Sequence, residues 1–276
     1  MSNKTFFVMT LALLFSCTGV FADELISEFT ENKIAEFMTL RMKLSTLDSN
    51  EAALAAIDDF EAQNAAALKE QAVDYEQEAL IMYNFYELER FNYRFNDAAQ
   101  RPSTKNMLQD LVQKDSAWYE AHDRDKTNKW LNTLTGDAIS CYMSFSWASV
   151  MKYGLKVKPY YEQSLEQDPD LAYTNTNIAQ WYYYAPAIGG GSKKTARKYF
   201  ERAVQVAKTD AERYFADIYL SQFLFEYKEF DEAKRLLDEA DSLNPGSSYI
   251  ATIRAENADG RSLYAYNRRR SKIDDK

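Results

Sequence analysis

The chain is poor in the residues that most chemistry and most β-structure need. Among 276 residues it has one histidine, two cysteines, eight glycines and five prolines. A single histidine argues against histidine-based catalytic triads and multi-histidine zinc sites. So few glycines and prolines are far short of what a β-sandwich with many tight turns uses. No segment sustains the period-two alternation of a half-buried strand. Positive charge is also scarce, with 33 Lys and Arg against 42 Asp and Glu. That balance argues against a nucleic-acid partner, which demands a basic surface. It also disfavours a peripheral phospholipid-binding role, so membrane association is expected only through a lipid anchor.

What is present begins with an export signal over 1–22: Lys4, the apolar run Phe6 to Phe15, then Val20-Phe21-Ala22. The run is too short to span a bilayer, which takes about 20 apolar residues, and its flanks fit a signal peptide. Two processing readings stand. Cleavage before Asp23 follows from the small residues Val20 and Ala22, whereas Leu14-Phe15-Ser16-Cys17 resembles a lipobox with lipidation at Cys17. Both place the mature protein outside the cytoplasm, in a bacterial periplasm and, on the second reading, lipid-anchored to a membrane. Removing 1–22 takes away Lys4 and no acid, so 32 basic residues (33 − 1) face 42 acidic ones, a net charge of −10 (32 − 42). Cys141 is then the only thiol, no internal disulfide can form, and stability has to come from a packed core. Hydrophobic residues make up 46%, enough for one in a chain of this length. Cys141 itself lies in an apolar helical face and reads as a buried small hydrophobe.

Apolar residues recur at spacings of three and four throughout, which makes the fold all-α. The spacing predicts eleven or twelve helices, near 25–46, 50–66, 68–97, 105–122, 126–133, 137–153, 157–167, 171–184, 193–208, 210–227, 230–243 and 247–266. The charged residues from Asn267 to Lys276 are expected to fray. A small–large–small pattern recurs in the C-terminal half: Val157, Tyr161 and Ser164; Ala196, Phe200 and Ala203; Ala233, Leu237 and Ala240. Small residues at a helix crossing let two backbones approach, and the large residue between them packs on the next repeat. Phased on Tyr161, Phe200 and Leu237, the spacings are 39 and 37 residues. The first excess is visible in the insertion Ala185–Ser192, which carries Gly189-Gly190-Gly191.

At these residues the chain resembles the tetratricopeptide repeat family, whose period is 34 residues. The resemblance implies a right-handed α-solenoid of antiparallel helix pairs that binds other molecules. It covers 137–245, leaving 23–136 as an N-terminal helical region without a phased copy and 246–276 as a C-terminal helix and charged tail. The family's usual Trp and Gly in the first helix are replaced by Ala179 and Ser221. A narrower resemblance rests on Trp181-Tyr182-Tyr183-Tyr184-Ala185-Pro186, the glycine-rich turn and Ala196…Tyr199-Phe200, about 30 residues similar to the T-component proteins associated with TRAP transporters. It implies a periplasmic protein that oligomerises and partners a solute-binding protein.

Candidate chemistry is sparse. His122-Asp123-Arg124-Asp125 has alternate oxygens like the start of a calcium loop, but Asn128 stands where the turn needs glycine and no Glu follows at position twelve. It reads as a solvated turn, and no metal or cofactor is expected. Gly189-Gly190-Gly191-Ser192-Lys193-Lys194-Thr195 lacks phosphate-loop spacing and a preceding strand, so Ser192 reads as a helix N-cap. Pairs such as Glu76 and Glu87, or Glu232 and Glu239, carry no glycosidase signature, and no catalytic residue is assigned. The twenty tyrosines are more suggestive. Consecutive helical residues point about 100° apart, so Tyr182, Tyr183 and Tyr184 cannot all be core. Tyrosine suits surfaces that are apolar at one end and wet at the other. Arg268-Arg269-Arg270 reads as a solvated tail. The expectation is an exported scaffold, not an enzyme, that binds a protein, a peptide or a small ligand. Its expected binding surface is Trp181 to Tyr184, Gly189 to Gly191 and the helix face of 214–224. The alternative is a helical-repeat enzyme or enzyme regulator using groove carboxylates.

Overall fold

The structure, a computed structural model, describes residues 26–271. The export signal, cleavage before Asp23, Cys17 and the tail beyond Ser271 lie outside the described residues. Among the described residues there are thirteen α-helices and no strand. They are α1 (Glu28–Leu44), α2 (Asn50–Gln71), α3 (Tyr75–Arg94), α4 (Arg101–Ala121), α5 (Lys129–Met143), α6 (Trp147–Tyr153) and α7 (Lys158–Gln167). Then follow α8 (Ala172–Tyr184), α9 (Lys193–Val206), α10 (Asp210–Glu226), α11 (Phe230–Leu243), α12 (Ser248–Ala258) and α13 (Leu263–Ser271).

Most starts are set by a side-chain oxygen that accepts an otherwise orphaned first-turn N–H. Ser27, Ser49, Asp74, Asn128, Ser146, Ser192, Thr209 and Ser247 act in this way, and Thr209 forms a reciprocal capping box with Glu212. Ser192 caps α9 as its place after the glycine-rich turn suggests.

Three expectations are corrected. The helices expected at 126–133 and at the start of 137–153 are one helix, α5, which runs through Gly136. That glycine serves a close approach: a Cβ there would stand 2.6 Å from Tyr161 Cε1. The remainder of 137–153 is separate, because Ser146 accepts from Ser149 N at 3.2 Å and starts α6. The single helix expected at 247–266 is broken at Gly260, which adopts φ 76°, and Ser262 then accepts from Ala265 N at 3.1 Å. Third, Asn267 to Ser271 do not fray. They form the last turns of α13 and dock on the fold.

Five helices, α1, α3, α5, α8 and α10, form an inner layer in which each touches the next and α10 returns to α1. Outside them, α2 packs on α3, α4 on α3 and α5, α7 on α5 and α8, α9 on α8 and α10, and α11 on α10. At the seam the start of α10 meets the end of α1, since Tyr214 Oη lies 2.8 Å from Ser247 Oγ and that oxygen 2.9 Å from Ser45 Oγ. Helices α1, α3 and α5 run parallel. Contacts near their starts pair with each other, as in Ser27 with Glu78 and Trp130 Nε1 with Glu31 Oε2 at 3.3 Å. Contacts near their ends do likewise, as in Arg41 Nε with Glu89 Oε2 at 2.7 Å. The ring is sealed by polar bonds across about two hundred residues of chain. Asn244 Nδ2 donates to Met42 O at 2.6 Å, and Ser248 N donates to Ser45 O at 2.8 Å. One continuous apolar core runs from Ile26 to Leu263, with a second cluster around Tyr183, Phe200, Phe223 and Tyr264. All nine residues of the small–large–small pattern are buried.

Helix α13 crosses the end of the ring where the inner helices finish. At one side Tyr264 stacks on Tyr183 at 4.3 Å and donates to Tyr219 O at 2.8 Å. At the other, Arg101 Nη2 donates to Ser271 O at 2.8 Å, and the Arg270 guanidinium lies 5.1 Å from the Phe95 ring centre.

Candidate functional site: a polar chamber inside the ring

The faces that the inner helices turn toward each other are not uniformly apolar. α1 contributes Arg41; α3, Glu89 and Tyr93; α5, Asp137 and, one turn on, Cys141. α8 adds Tyr173, Asn177 and Tyr184 from one stripe, and α10 adds Phe215 and Tyr219. Arg41, Asp137, Cys141, Tyr173 and Tyr219 lie close enough to act on one another electrostatically, and each keeps a minor part of its surface accessible, so together they line the space between the inner helices.

Asp137 is the centre of this lining. Its Oδ1 accepts from Tyr161 Oη at 2.8 Å. Its Oδ2 accepts from Tyr173 Oη at 2.8 Å and from Asn177 Nδ2 at 3.0 Å. Burial pushes its carboxyl up to about 7, although the Tyr161 and Tyr173 hydroxyls and the Arg41 charge pull the other way. Burial likewise raises both tyrosines, and the neighbouring Asp137 charge adds to the effect. The Cys141 thiol is raised by burial first and Asp137 second, which keeps it protonated and unreactive.

Arg41 is held from two directions. Burial alone would lower its guanidinium, but the paired Glu89 carboxylate together with Tyr173 and Tyr219 outweighs burial and raises it. Its charge also lies 5.4 Å from the Tyr173 ring centre and 5.1 Å from that of Phe215. The Arg41–Glu89 pair is therefore internally neutral, and Glu89 Oε2 is further occupied by Asn92 Nδ2 at 3.2 Å. The covering helix adds Tyr266 and Arg270, whose buried Nε has no hydrogen-bond partner. Hydroxyls, one amide and aromatic faces thus dominate the lining. Chemically, it can accept and donate hydrogen bonds to a small molecule and flank it with rings.

The aromatic run expected to bind is divided among different jobs. Trp181 is half-buried and donates from Nε1 to Gly154 O at 3.0 Å. Tyr182 stacks parallel on Tyr199 at 5.7 Å, between α8 and α9. Tyr183 is core, with the Lys193 ammonium 3.5 Å from its ring centre. Tyr184, 42% exposed, is the member that joins the chamber; burial raises its hydroxyl, with Tyr183 and Tyr219 among the groups acting on it. Gly189, Gly190 and Gly191 close the turn after α8. A Cβ on Gly191 would stand 1.8 Å from Ala185 O, so no larger residue fits without moving the chain. Phe215 and Tyr219, in the expected face of 214–224, line the chamber, whereas Tyr214, Ala216, Ile218 and Leu220 are core.

Elsewhere the candidates stay apart. His122 stacks on Trp118 at 3.7 Å, and among the described residues no three His, Cys, Asp or Glu side chains gather to hold a metal ion. The basic triplet is split: Arg269 pairs with Glu256 at 2.8 Å, Arg268 lies 3.9 Å from Glu226, and Arg270 turns toward the chamber mouth. Two surface grooves of about 570 and 510 Å³ lie outside the ring, and their charged rims are ion-paired through Lys234–Asp238 and Lys114–Asp110.

Arg41, Glu89 and Asp137 were not among the sequence candidates. Their signal is a charged side chain inside an otherwise apolar or aromatic helical window, as with Asp137 between Leu134 and Ile139. Among the described residues no helix is long and apolar enough to cross a membrane. No protein-family model matches the chain, and comparison with curated proteins finds no match.

Proposed function

We propose that this is an exported, tetratricopeptide-like binding protein, not an enzyme, whose ring of helix pairs holds a small organic molecule in its central chamber. The observation that carries this reading is the closed inner layer whose facing side chains are partly accessible hydroxyls, rings and an internally paired Arg41–Glu89. A purely structural scaffold gains nothing from lining its interior with polar groups, because buried polar atoms stabilise only when satisfied. The ligand this lining suits has an apolar or aromatic body and a few hydrogen-bonding groups. In its narrower form the proposal is a periplasmic TRAP-associated T-component, soluble or lipid-anchored, that oligomerises and hands its ligand to a solute-binding protein.

The test is mass spectrometry of small molecules released from protein purified out of its native compartment, with Tyr173→Phe and Arg41→Ala as comparisons. A compound should co-purify with the parent and be lost from both variants. Co-purification of nothing, or of one compound regardless of variant, sinks the chamber reading. A solute-binding protein in the same preparation would support the narrower form.

Asp137 favours a second reading, an enzyme using a groove carboxylate. An acid held near 7 in a cleft suits proton transfer at neutral pH. Against it, both Asp137 oxygens are already engaged and the nearby Glu89 is tied to Arg41. Hydrolase activity abolished by Asp137→Asn would establish the enzyme instead.

A further inference from the structure

The chain's negative charge is unevenly spread. No Asp or Glu occurs in 138–161 or in 171–200, although the whole chain has 42. In three dimensions these two acid-poor stretches meet. Trp181 Nε1 bonds Gly154 O, and a Cβ on Gly189 would lie 3.7 Å from Leu155 Cδ2. At that meeting point stand four large apolar side chains in solvent: Ile188 is 100% exposed, Met151 82%, Leu155 72% and Trp147 51%. Trp147, Met151 and Leu155 are spaced by four along α6 and the turn that follows it, so they form one row, and Ile188 stands beside Leu155 on the neighbouring turn. Lys152 and Lys156 flank the row, both within 6 Å of the Tyr153 ring centre at 4.8 and 5.6 Å. Neither has a carboxylate partner among the described residues. Arg101, 5.1 Å from the ring centre of Phe145 just before α6, has none either.

We propose that this row, Trp147, Met151, Leu155 and Ile188 with Lys152 and Lys156 beside it, docks the protein on an anionic phospholipid surface. The features are convex, a short helix and a loop tip, so they suit a soft boundary that they can enter by about 5–10 Å. Tryptophan and snorkelling lysines are the side chains that such an interface favours. The overall negative charge does not oppose this. Screening acts over about 8–10 Å at physiological salt, and one helix is already about 10 Å across. The local acid-poor patch, at whose margin Glu162 is tied to Lys158, therefore decides the sign the lipid meets, which reverses the expectation drawn from net charge alone. The row lies at the end of the ring that α13 crosses, so docking brings the covered mouth of the chamber to the lipid surface. The inference does not depend on what the chamber holds.

The test is co-sedimentation of the full chain with vesicles of phosphatidylglycerol or of phosphatidylcholine. Four forms are compared: the parent, M151D/L155D, K152E/K156E and W147F. All share residues 1–25, so differences report the row. The parent should prefer phosphatidylglycerol. M151D/L155D should bind about tenfold or more weakly, and K152E/K156E should lose the preference for the anionic lipid. Brominated lipid should quench the parent's fluorescence more than that of W147F. Melting curves and circular dichroism like the parent's show that the variants fold, since every substituted side chain is exposed. Equal binding by parent and variants overturns the proposal. So does light scattering that shows the parent self-associating and M151D/L155D monomeric while neither sediments with lipid, which would make the row an interface between copies of this chain.

Discussion

The two halves of the ring are held together by different chemistry. Between α8 and α11, the buried junctions are mainly apolar and graded by size, with ion pairs such as Arg197–Glu229 at their rims: Ala196 and Ala203 admit a neighbouring backbone, and Phe200 fills the space against Phe223 at 5.4 Å. Between α1 and α5, the junctions are individual polar hubs. Glu78, fully buried, accepts from Val73 N at 2.8 Å, Asp74 N at 3.0 Å and Ser27 N at 3.1 Å, and from the hydroxyls of Ser27 and Thr30. Asn84 Nδ2 donates to Asp115 Oδ1 at 2.8 Å, Trp118 Nε1 to Thr127 Oγ1 at 3.0 Å, and Tyr119 Oη to Asn132 Oδ1 at 2.8 Å. An apolar junction depends mainly on volume and tolerates any residue that fills it. A polar junction depends on which atoms donate and which accept, so removing one partner strands the others.

The largest effect should come from emptying the apolar junction. Phe200→Ala should cost about 3–5 kcal/mol, whereas Phe200→Leu should cost about 1 kcal/mol. Chemical denaturation measures both, and an equal cost for the two would mean that volume does not govern the C-terminal half.

The polar counterpart should reverse that tolerance. Glu78→Ala should cost about 3 kcal/mol, and the nearly isosteric Glu78→Gln almost as much, because an amide NH₂ cannot accept from the surrounding donors. A near-neutral Glu78→Gln would break the comparison outright. Burial pushes the Glu78 carboxyl up, but the Ser27 and Thr30 hydroxyls and the backbone N–H groups outweigh it and hold it below the usual range. Its contribution is therefore present above the ordinary glutamate value and fades as pH falls below it.

Asp115 should behave with the opposite sign and the smallest effect. Burial pushes it up to about 7, despite its bond from Asn84 and the nearby Thr135. Its Oδ2, Asn84 Oδ1 and Thr135 Oγ1 all lack partners, and a proton on Oδ2 supplies a missing donor. Between an ordinary aspartate value of about 4 and about 7 the folded chain keeps a proton that the unfolded chain has lost, so this contribution to stability falls as pH rises through that window. Asp115→Asn should therefore stabilise at pH 8 by about 1–2 kcal/mol and be neutral by about pH 4, the ordinary aspartate value. Thermal melts at the two pH values check this, and a gap independent of pH would mean that the carboxyl is already neutral or already paired.

The same contrast explains what could be read from the chain. Ala196, Phe200, Ala203 and their counterparts around Leu237 were legible because size recurs at fixed offsets. The hubs of the N-terminal half were not, because nothing periodic links Ser27 to Glu78 or Asn84 to Asp115, and any Glu or Asn on a helix reads as solvated. The chamber was half legible. The α8 and α10 faces were named through their aromatic residues, but Asp137 and Arg41 acquire meaning only when α5 and α1 stand opposite them. The gap expected between 133 and 137 is instead continuous helix, and the reason a glycine stands there, the Tyr161 ring, lies on another helix.

By itself, then, the sequence determined that the chain is all-helical, where most helices start, and which residues of the C-terminal half are crossings. All of these are decided within one or two turns of chain by capping, propensity and periodicity. Only the tertiary structure decided that the helices close into a ring. Closure depends on small angles accumulated over successive helix pairs, until Asn244 reaches Met42 across 202 residues of chain. That closure is also what turns five inward faces into one chamber and leaves Trp147, Met151, Leu155 and Ile188 outside it.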